Sequence, residues 1–390
     1  MFLLIPVLVP ILMALIVLVS PLWPVFEWQV GQGNPNKIPI NRLKFLVFSG
    51  ANILACAVIA TLMWLGGISK SYFPEIWNYK VVSIKHEMEW TEKVRRSRQV
   101  ACGHDKDGRT KYRTEYYYVT EHYGPYWHSK DEYGSWTNIG EADYNKWKKI
   151  WANEVKTGVH EGSSTWLDAS IDGPIYECKW NGKFDSIYPV SKVTSYKNKI
   201  RVSNSVLRYG TPSEEALKNY PRPADKRNTS PVISYGGSGI SQDIVLKLRQ
   251  VNALLGSGYQ IHTMLVMLGG SDPRGQVEDI LKSWCGPNKN ELVTFVSCKN
   301  GVVDFCEVSS WMDDTTLHAT LRDGIVGDEW DANRYADMLL KYVPKLWKRK
   351  EFTPFNEYLK VTISPWWFWS GIIISIMVVV GIFFWIEHIY

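Results

Sequence analysis

The sequence predicts an α+β membrane protein, and three observations lead to this fold class. Long uncharged apolar runs lie at both ends of the 390-residue chain. Between them, residues 79–136 alternate polar with β-branched and aromatic side chains, which is typical of strands. From residue 241 onward, apolar residues recur at helical spacing between short apolar strands, which predicts an α/β unit.

Three transmembrane helices are predicted, over residues 2–20, 45–66 and 366–385. A helix needs about 20 predominantly apolar residues to cross a bilayer, and each run has about that length. Tryptophans lie at or near the ends of the runs, as in an interfacial aromatic belt: Trp23, Trp28, Trp64, Trp366, Trp367, Trp369 and Trp385. The first run has a second interpretation as a cleaved signal peptide, although no basic segment precedes it.

Basic residues beside these runs predict the orientation of the chain. Lys37, Arg42 and Lys44 lie in the short loop between the first two runs, and short basic loops stay in the cytoplasm. The large domain is therefore expected outside the cytoplasm. A basic segment over 345–360 favours the opposite orientation, but it belongs to a long segment, in which charge has less influence.

Residues 68–238 are predicted to form a β-rich aromatic domain containing a hairpin that turns at Asp107-Gly108. Six cations interleaved with tyrosines form a candidate binding surface: Arg95, Arg96, Arg98, Arg109, Lys111 and Arg113. A solvated strand face is the simpler interpretation, and contact with lipid headgroups or nucleic acid is the alternative. The net charge of +5 is too small to indicate a dedicated nucleic-acid-binding protein.

A short helix over 141–154 is predicted within that domain, and residues 239–350 are predicted to form a separate α/β domain. The predicted elements of the α/β domain are a helix over 241–255, a strand over 260–270, a helix opening at Asp272-Pro273, a strand over 291–298, a hairpin partner over 302–311 and helices over 315–325 and 330–348. A right-handed βαβ unit follows from this order. Residues 351–390 are expected to be a juxtamembrane segment and the third transmembrane helix.

The order of elements in the second half resembles the TPM domain, an α/β module that is usually tethered to membranes. The likeness is carried by "LKSWCGPNKNELVTFVSCKNGVVDFCEVSSW" over 281–311, where a helix ending in Trp precedes a turn, an apolar strand and a hairpin. The segments "HATLRDGI" and "ADMLLKYVPKLWKRKEFTPFNEYLK" are similar to phage-encoded membrane proteins with a TPM-like C-terminal half. The resemblance covers about 241–360, roughly a third of the chain.

The resemblance implies an acidic pocket formed by Asp272, Asp304 and Asp313, with a divalent cation as its ligand. Some TPM-domain proteins are linked to phosphatase activity or to the assembly of membrane complexes. Simpler roles are open for two of these residues, since Asp272 can cap the helix after it and Asp313 can precede the next helix. The sequence contains no nucleophile-elbow, zinc-protease or nucleotide-binding motif, so no catalytic residue is predicted.

Five cysteines lie in the predicted domains: Cys102, Cys178, Cys285, Cys298 and Cys306. A disulfide between Cys102 and Cys178 is expected if the domain lies outside the cytoplasm. All five are expected to be free thiols if the domain lies inside, because the cytoplasm keeps cysteines reduced.

These observations predict a membrane-anchored, non-catalytic protein whose TPM-like domain mediates protein–protein interaction or self-assembly. A homo-oligomer at a bacterial inner membrane, encoded by a phage, is expected, with an envelope protein as a further partner. No cofactor is expected beyond a divalent cation in the acidic pocket. Two alternatives stay open: a divalent-metal-dependent phosphatase of the TPM type, and lipid or nucleic-acid binding through the basic aromatic surface.

Overall fold

The computed structural model describes residues 71–162, 171–202, 209–226, 229–236 and 241–359, with isolated positions within 54–69 and 366–381. Its strands are β1 (Tyr72–Glu87), β2 (Trp90–His104), β3 (Thr110–Tyr123), β4 (Tyr126–Asp131), β5 (Trp136–Asn138), β6 (Val155–His160), β7 (Gly173–Lys179), β8 (Tyr188–Lys197), β9 (Val232–Tyr235), β10 (His262–Leu268), β11 (Glu291–Lys299) and β12 (Val302–Ser309). Its helices are α1 (Glu141–Trp151), α2 (Lys199–Val202), α3 (Glu214–Asn219), α4 (Gln242–Tyr259), α5 (Pro273–Trp284), α6 (Thr316–Asp323), α7 (Ala332–Leu346) and α8 (Thr353–Tyr358).

The prediction of three transmembrane helices is wrong for the part of the chain that the structure describes. No helix there combines the length and the apolar composition that a bilayer crossing requires. The predicted span over 2–20 lies outside the described residues, as do most positions of 45–66 and 366–385. An apolar segment favours a non-aqueous environment, but an apolar composition does not by itself make the segment one continuous helix. The membrane-protein fold class and the location in a bacterial inner membrane are corrected on this finding, and the described residues form an α+β fold.

Strand β1 organises the first sheet, because it pairs antiparallel with three other strands. Its first part pairs with β8, and its last part lies between β4 and β7, giving the order β5-β4-β1-β7-β6. Helix α1 covers one face of this sheet with Tyr144, Trp147 and Trp151, which pack against Val81 and Cys178. The helix predicted over 141–154 is confirmed and ends three residues earlier than expected.

The second sheet has the order β12-β11-β10-β9, in which β9, β10 and β11 are parallel and β12 is antiparallel. Side chains of β10 alternate between two cores, so that Leu265 packs on the side of α4, α6 and α7 and Val266 packs on the side of α5. The predicted βαβ unit and hairpin are confirmed. Strand β9 precedes the domain boundary predicted at 238/239 and nevertheless belongs to this sheet.

The two sheets are joined through β1. Glu75 accepts two hydrogen bonds of 2.6 Å from Nη2 of Arg349, in a nearly buried ion pair. The side-chain amide of Asn290 donates a 2.7 Å hydrogen bond to the carbonyl oxygen of Ile76. Gly256 of α4 packs so close to β1 that a Cβ atom there would meet the carbonyl oxygen of Asn78 at 2.4 Å. The first sheet and the α/β unit are therefore packed on each other along one edge.

His262 lies in this contact and must stay neutral in the folded protein. Its Nδ1 is 2.9 Å from the side-chain amide of Asn78, which donates the hydrogen bond. The imidazole is buried at the start of β10. Burial lowers the pKa of His262 from 6.5 to about 4, because a charged ring would lose its hydration.

Acid is predicted to destabilise the protein through His262. Between pH 6.5 and about 4 the unfolded chain binds a proton that the folded chain excludes, so the free energy of unfolding falls as the pH falls. The loss from this group is about 3 kcal/mol over that interval. The variant His262→Asn keeps an acceptor for Asn78 and should show a shallower pH dependence in urea unfolding from pH 7 to 4. Equal slopes for both proteins would contradict the assignment.

Candidate interaction surface on a β-arm

Strands β2 and β3 form a two-stranded antiparallel arm that is separate from both larger sheets. A strand of this length extends about 45 Å. Each residue from Trp90 to Ala101 has a partner on β3, and the register shifts once, between Ala101 and His104. The hairpin predicted around Asp107-Gly108 is confirmed, and Asp105 closes its turn by accepting hydrogen bonds from the backbone N–H groups of Asp107 and Arg109.

The root of the arm is fixed by a stack of aromatic rings, here called the root stack: Trp90, Tyr123 and His160. The indole of Trp90 is buried and lies 4.1 Å from the ring of His160 and 5.3 Å from that of Tyr123, nearly parallel to both. Gly173 packs beneath the indole, since a Cβ atom there would meet Cβ of Trp90 at 2.9 Å. The root stack therefore attaches β2 and β3 to β6 and β7 of the first sheet.

Glu87, at the end of β1, holds the His160 ring of the root stack in place. Its carboxylate lies 3.2 Å from Nε2 of His160 and 3.8 Å from Nε2 of His128, and it also pairs with Lys85. Burial alone would raise the pKa of Glu87, but the hydrogen bonds from Lys85 and His160 hold it below its usual value. The carboxylate is thus charged at neutral pH and orients the imidazole on the indole.

One face of the arm is neutralised by its own ion pairs. Side chains alternate between the faces of a strand, and this ion-pair face carries Glu92, Val94, Arg96, Arg98, Arg113, Glu115, Tyr117, Val119 and Glu121. Glu115 pairs with Arg113 at 2.7 Å and with Arg98 at 3.2 Å, and Arg96 pairs with Glu121. Hydrogen bonds from Arg113 and Arg98 lower the pKa of Glu115. Three acidic side chains thus balance three arginines.

The opposite face, here called the tyrosine face, has cations and no acidic side chain. It carries Lys93, Arg95, Ser97, Gln99, Tyr112, Thr114, Tyr116, Tyr118 and Thr120. The guanidinium of Arg95 lies 3.8 Å from the ring centroid of Tyr116, and the ammonium of Lys93 lies 5.4 Å from that of Tyr118. Tyr112, Tyr116 and Tyr118 are 64%, 60% and 60% exposed, so most of their ring surface is available to a partner.

The six basic residues predicted from the sequence all lie on the arm, but they do not form one surface. Arg95 belongs to the tyrosine face, whereas Arg96, Arg98 and Arg113 belong to the ion-pair face and are engaged by glutamates. Arg109 follows the turn at the tip, and Lys111 lies on β3 beyond the register shift. The lipid or nucleic-acid surface that was predicted from these cations is therefore divided between two faces and a tip.

The three aspartates of the predicted acidic pocket are not brought together. Asp272 caps α5 by accepting the N–H of Gly275 at 3.0 Å, and Asp304 lies exposed near the start of β12. Asp313 lies beyond the other end of β12 and pairs with Lys350 at 2.6 Å. No group of three metal-binding side chains occurs among the described residues. Asp272 is therefore a helix cap, Asp304 is an exposed strand residue and Asp313 forms an ion pair.

The predicted disulfide between Cys102 and Cys178 is not formed in the structure. Cys102 is an exposed free thiol on the arm, and Cys178 is a buried free thiol beneath α1. Burial raises the pKa of Cys178, and the nearby carboxylate of Glu154 adds to the shift. The two residues belong to different sheets, which the sequence spacing does not reveal.

A polar cavity of about 320 Å³ lies between β1, β8, α1 and α4. Asp131 and Asp143, Lys146 and Arg249 are the charged side chains of its lining, and Trp147 and Tyr188 form part of its wall. Asp131 is already used by the turn after β4, where it accepts the N–H groups of Tyr133 and Ser135 at 2.9 Å. Burial raises the pKa of Tyr188 to about 12. The lining therefore combines charged side chains of both signs with aromatic rings.

No model of a known protein family matches the chain, and no curated protein sequence matches it. The likeness to the TPM domain therefore stays a prediction that rests on the pattern of helices and strands.

Sequence reasoning missed the root stack and the division of the arm into two faces. Trp90 and His160 are 70 positions apart in the sequence, and no local pattern connects them. A signal for the tyrosine face was present, because Tyr112, Thr114, Tyr116 and Tyr118 occupy alternate positions of one strand and hence one face.

Removing the indole of Trp90 is predicted to loosen the arm before the rest of the fold. In Trp90→Ala the root stack loses its central ring, and the free energy of unfolding should fall by about 3 kcal/mol. Trypsin should also cut faster after Arg95 and Arg98. The control Tyr117→Ala removes an exposed ring of the same arm and should change stability by less than about 0.5 kcal/mol. Equal cleavage rates in the two variants would rule out the stack as the anchor.

Thiol labelling is predicted to distinguish the two cysteines that were expected to pair. Cys102 should react with a maleimide in the native protein without prior reduction, because it is exposed and free. Cys178 should react only after unfolding, because it is buried and its pKa is raised. Mass spectrometry of peptides checks both sites. A Cys102–Cys178 cross-linked peptide in the unreduced digest would contradict the structure.

Proposed function

We propose that this chain is a non-catalytic assembly protein, and that the β-arm is the element through which its copies bind one another. The observation that supports this most directly is the arm itself. It is a two-stranded sheet that pairs with no other strand in the described part of the chain, and both of its faces are exposed.

The stability of the arm favours a binding role, because an isolated two-stranded hairpin is only marginally stable in water. Its outer edges present unpaired N–H and C=O groups, which are ready to pair with another strand. The 15 residues of β2 and 14 of β3 bury few side chains within the chain, so they contribute little to its core. Binding to a partner would account for an element of this size.

The composition of the arm agrees with a protein partner. Tyrosine and arginine are the residues that most often supply binding energy at protein interfaces, and Ser, Thr and Gln supply adaptable hydrogen bonds. The tyrosine face has this composition along its whole length, from Lys93 to Gln99 and from Tyr112 to Thr120. Two cations are a weak charge for a nucleic-acid groove, which normally follows many phosphates.

Shortening the arm is predicted to abolish self-association. Residues 94–119 can be replaced by Asn-Gly, which joins Lys93 to its cross-strand partner Thr120 and leaves the root stack intact. Light scattering behind size exclusion should give a multimer for the full chain and a monomer for the shortened chain.

The shortened chain should retain the thermal unfolding transition of the full chain, which shows that the core is undisturbed. A full chain that is monomeric at micromolar concentration would contradict the proposal. A shortened chain that keeps the full multimeric mass would also do so.

A further inference from the structure

Charge is distributed unevenly between the arm and the α/β unit. The arm, residues 90–123, has eight basic and five acidic residues, a net charge of +3. Residues 300–340 have nine acidic and two basic residues, a net charge of −7. The cations on the tyrosine face have no acidic side chain on that face, so they are free to attract an acidic surface elsewhere.

Four of these nine acidic residues lie between the last residue of α6 and the N-cap of α7, residues 323–331, here called the acidic loop. Its carboxylates belong to Asp323, Asp328, Glu329 and Asp331, all of which are exposed. Asp323 and Asp328 are partly compensated by ion pairs with Arg322 and Arg334. Asp331 caps α7 by accepting the N–H of Asn333. The acidic loop therefore presents a net negative surface.

Backbone hydrogen bonds fix the acidic loop on the edge strand of the second sheet. Gly327 donates to the carbonyl of Val303, Val303 donates to the carbonyl of Asp328, and each of these bonds is 2.9 Å long. A further bond of 2.9 Å joins Trp330 to the carbonyl of Gly301. The carboxylates are thus carried by a supported loop, which lowers the entropy cost of binding.

Apolar side chains lie beside these carboxylates. Val302 and Val326 are 40% and 41% exposed, and both adjoin the segment that is bonded to the edge strand. Tyrosine rings bury well against exposed aliphatic side chains, while their hydroxyls remain free to hydrogen-bond carboxylates. The acidic loop offers both kinds of contact to a surface of tyrosines and cations.

We propose that the tyrosine face of one copy docks on the acidic loop of a second copy. This inference rests on the proposed assembly function and names the surface that accepts the arm. Lys93 and Arg95 would lie against the carboxylates, and Tyr112, Tyr116 and Tyr118 would cover Val302 and Val326. Docking two tyrosine faces on each other is less favourable, because it would bring the same unbalanced cations together.

The geometry of the assembly follows from the use of two different surfaces. A contact between unlike surfaces is heterologous, so each copy has one arm to offer and one acidic loop to accept. Such contacts form a closed ring when the rotation between neighbouring copies leads back to the first copy, and an open chain of copies when it does not. Association should also weaken as the salt concentration rises, because the contact is between opposite charges.

Charge reversal on both surfaces tests the pairing directly. The arm variant carries Lys93→Glu with Arg95→Glu, and the loop variant carries Asp328→Lys with Glu329→Lys. Each variant alone should associate at least about tenfold more weakly than the natural chain, because one half of every contact becomes repulsive. An equimolar mixture of the two variants should recover association, since the reversed arm now meets a reversed loop and the natural arm meets a natural loop.

A matched control separates this contact from a general effect of charge. Lys111→Glu with Lys149→Glu makes the same change in net charge as the arm variant, at positions outside the tyrosine face, and should associate like the natural chain. All proteins should be treated with nuclease and their ultraviolet spectra recorded before sedimentation velocity measurements.

Recovery in the mixture supports the proposal. A loop variant that associates normally overturns it. If the shortened chain is nevertheless a monomer, the arm is still the assembly element, and it binds a surface other than the acidic loop. Loss of association after nuclease treatment of the natural chain also overturns it, because a nucleic acid would then bridge the copies.

Discussion

The position of the arm depends on one physical constraint. Two strands that bury almost no side chains need contacts at their root to fix their orientation relative to the rest of the fold. The chain meets this constraint at the root, where the indole of Trp90 lies between the rings of Tyr123 and His160. Glu87 then fixes the imidazole of His160 from the end of β1. Strand β1 also carries the contacts of Glu75 and Asn78 to the α/β unit, so one strand takes part both in fixing the arm and in joining the two sheets.

This arrangement gives the arm two chemically distinct faces on one thin sheet. The ion-pair face satisfies its charges internally, through Glu115 and Glu121, and so has little net attraction for a charged partner. The tyrosine face leaves Lys93 and Arg95 without any acidic neighbour on that face and exposes three rings beside them. The hairpin can therefore bind a partner through the tyrosine face and not through the ion-pair face. This favours one defined contact over indiscriminate aggregation. The acidic loop, held on the edge of the second sheet, offers the complementary charge.

Local signals in the sequence predicted the elements of the second half well. The N-cap at Asp272, the hairpin of β11 and β12 and the apolar period of α4 each depend on a few neighbouring residues, so the sequence shows them directly. Contacts between distant segments could not be read in this way. The membership of β9 in the second sheet, the root stack and the separation of Cys102 from Cys178 all depend on which strands meet. The three transmembrane helices were predicted from the length and apolar composition of three runs and from the tryptophans near their ends, and the described residues contain no helix of the required length and composition.

The central claim is that the arm is covered by a second copy of the chain, and hydrogen exchange measured at two protein concentrations tests it most directly. Amides that pair β2 with β3 should exchange rapidly in dilute protein and slowly at a concentration where the multimer dominates, because docking of the tyrosine face stabilises the hairpin. Amides of the acidic loop should follow the same change, and those of α1 should not. If the multimer forms while exchange in the arm stays the same at both concentrations, the arm is not the assembly surface.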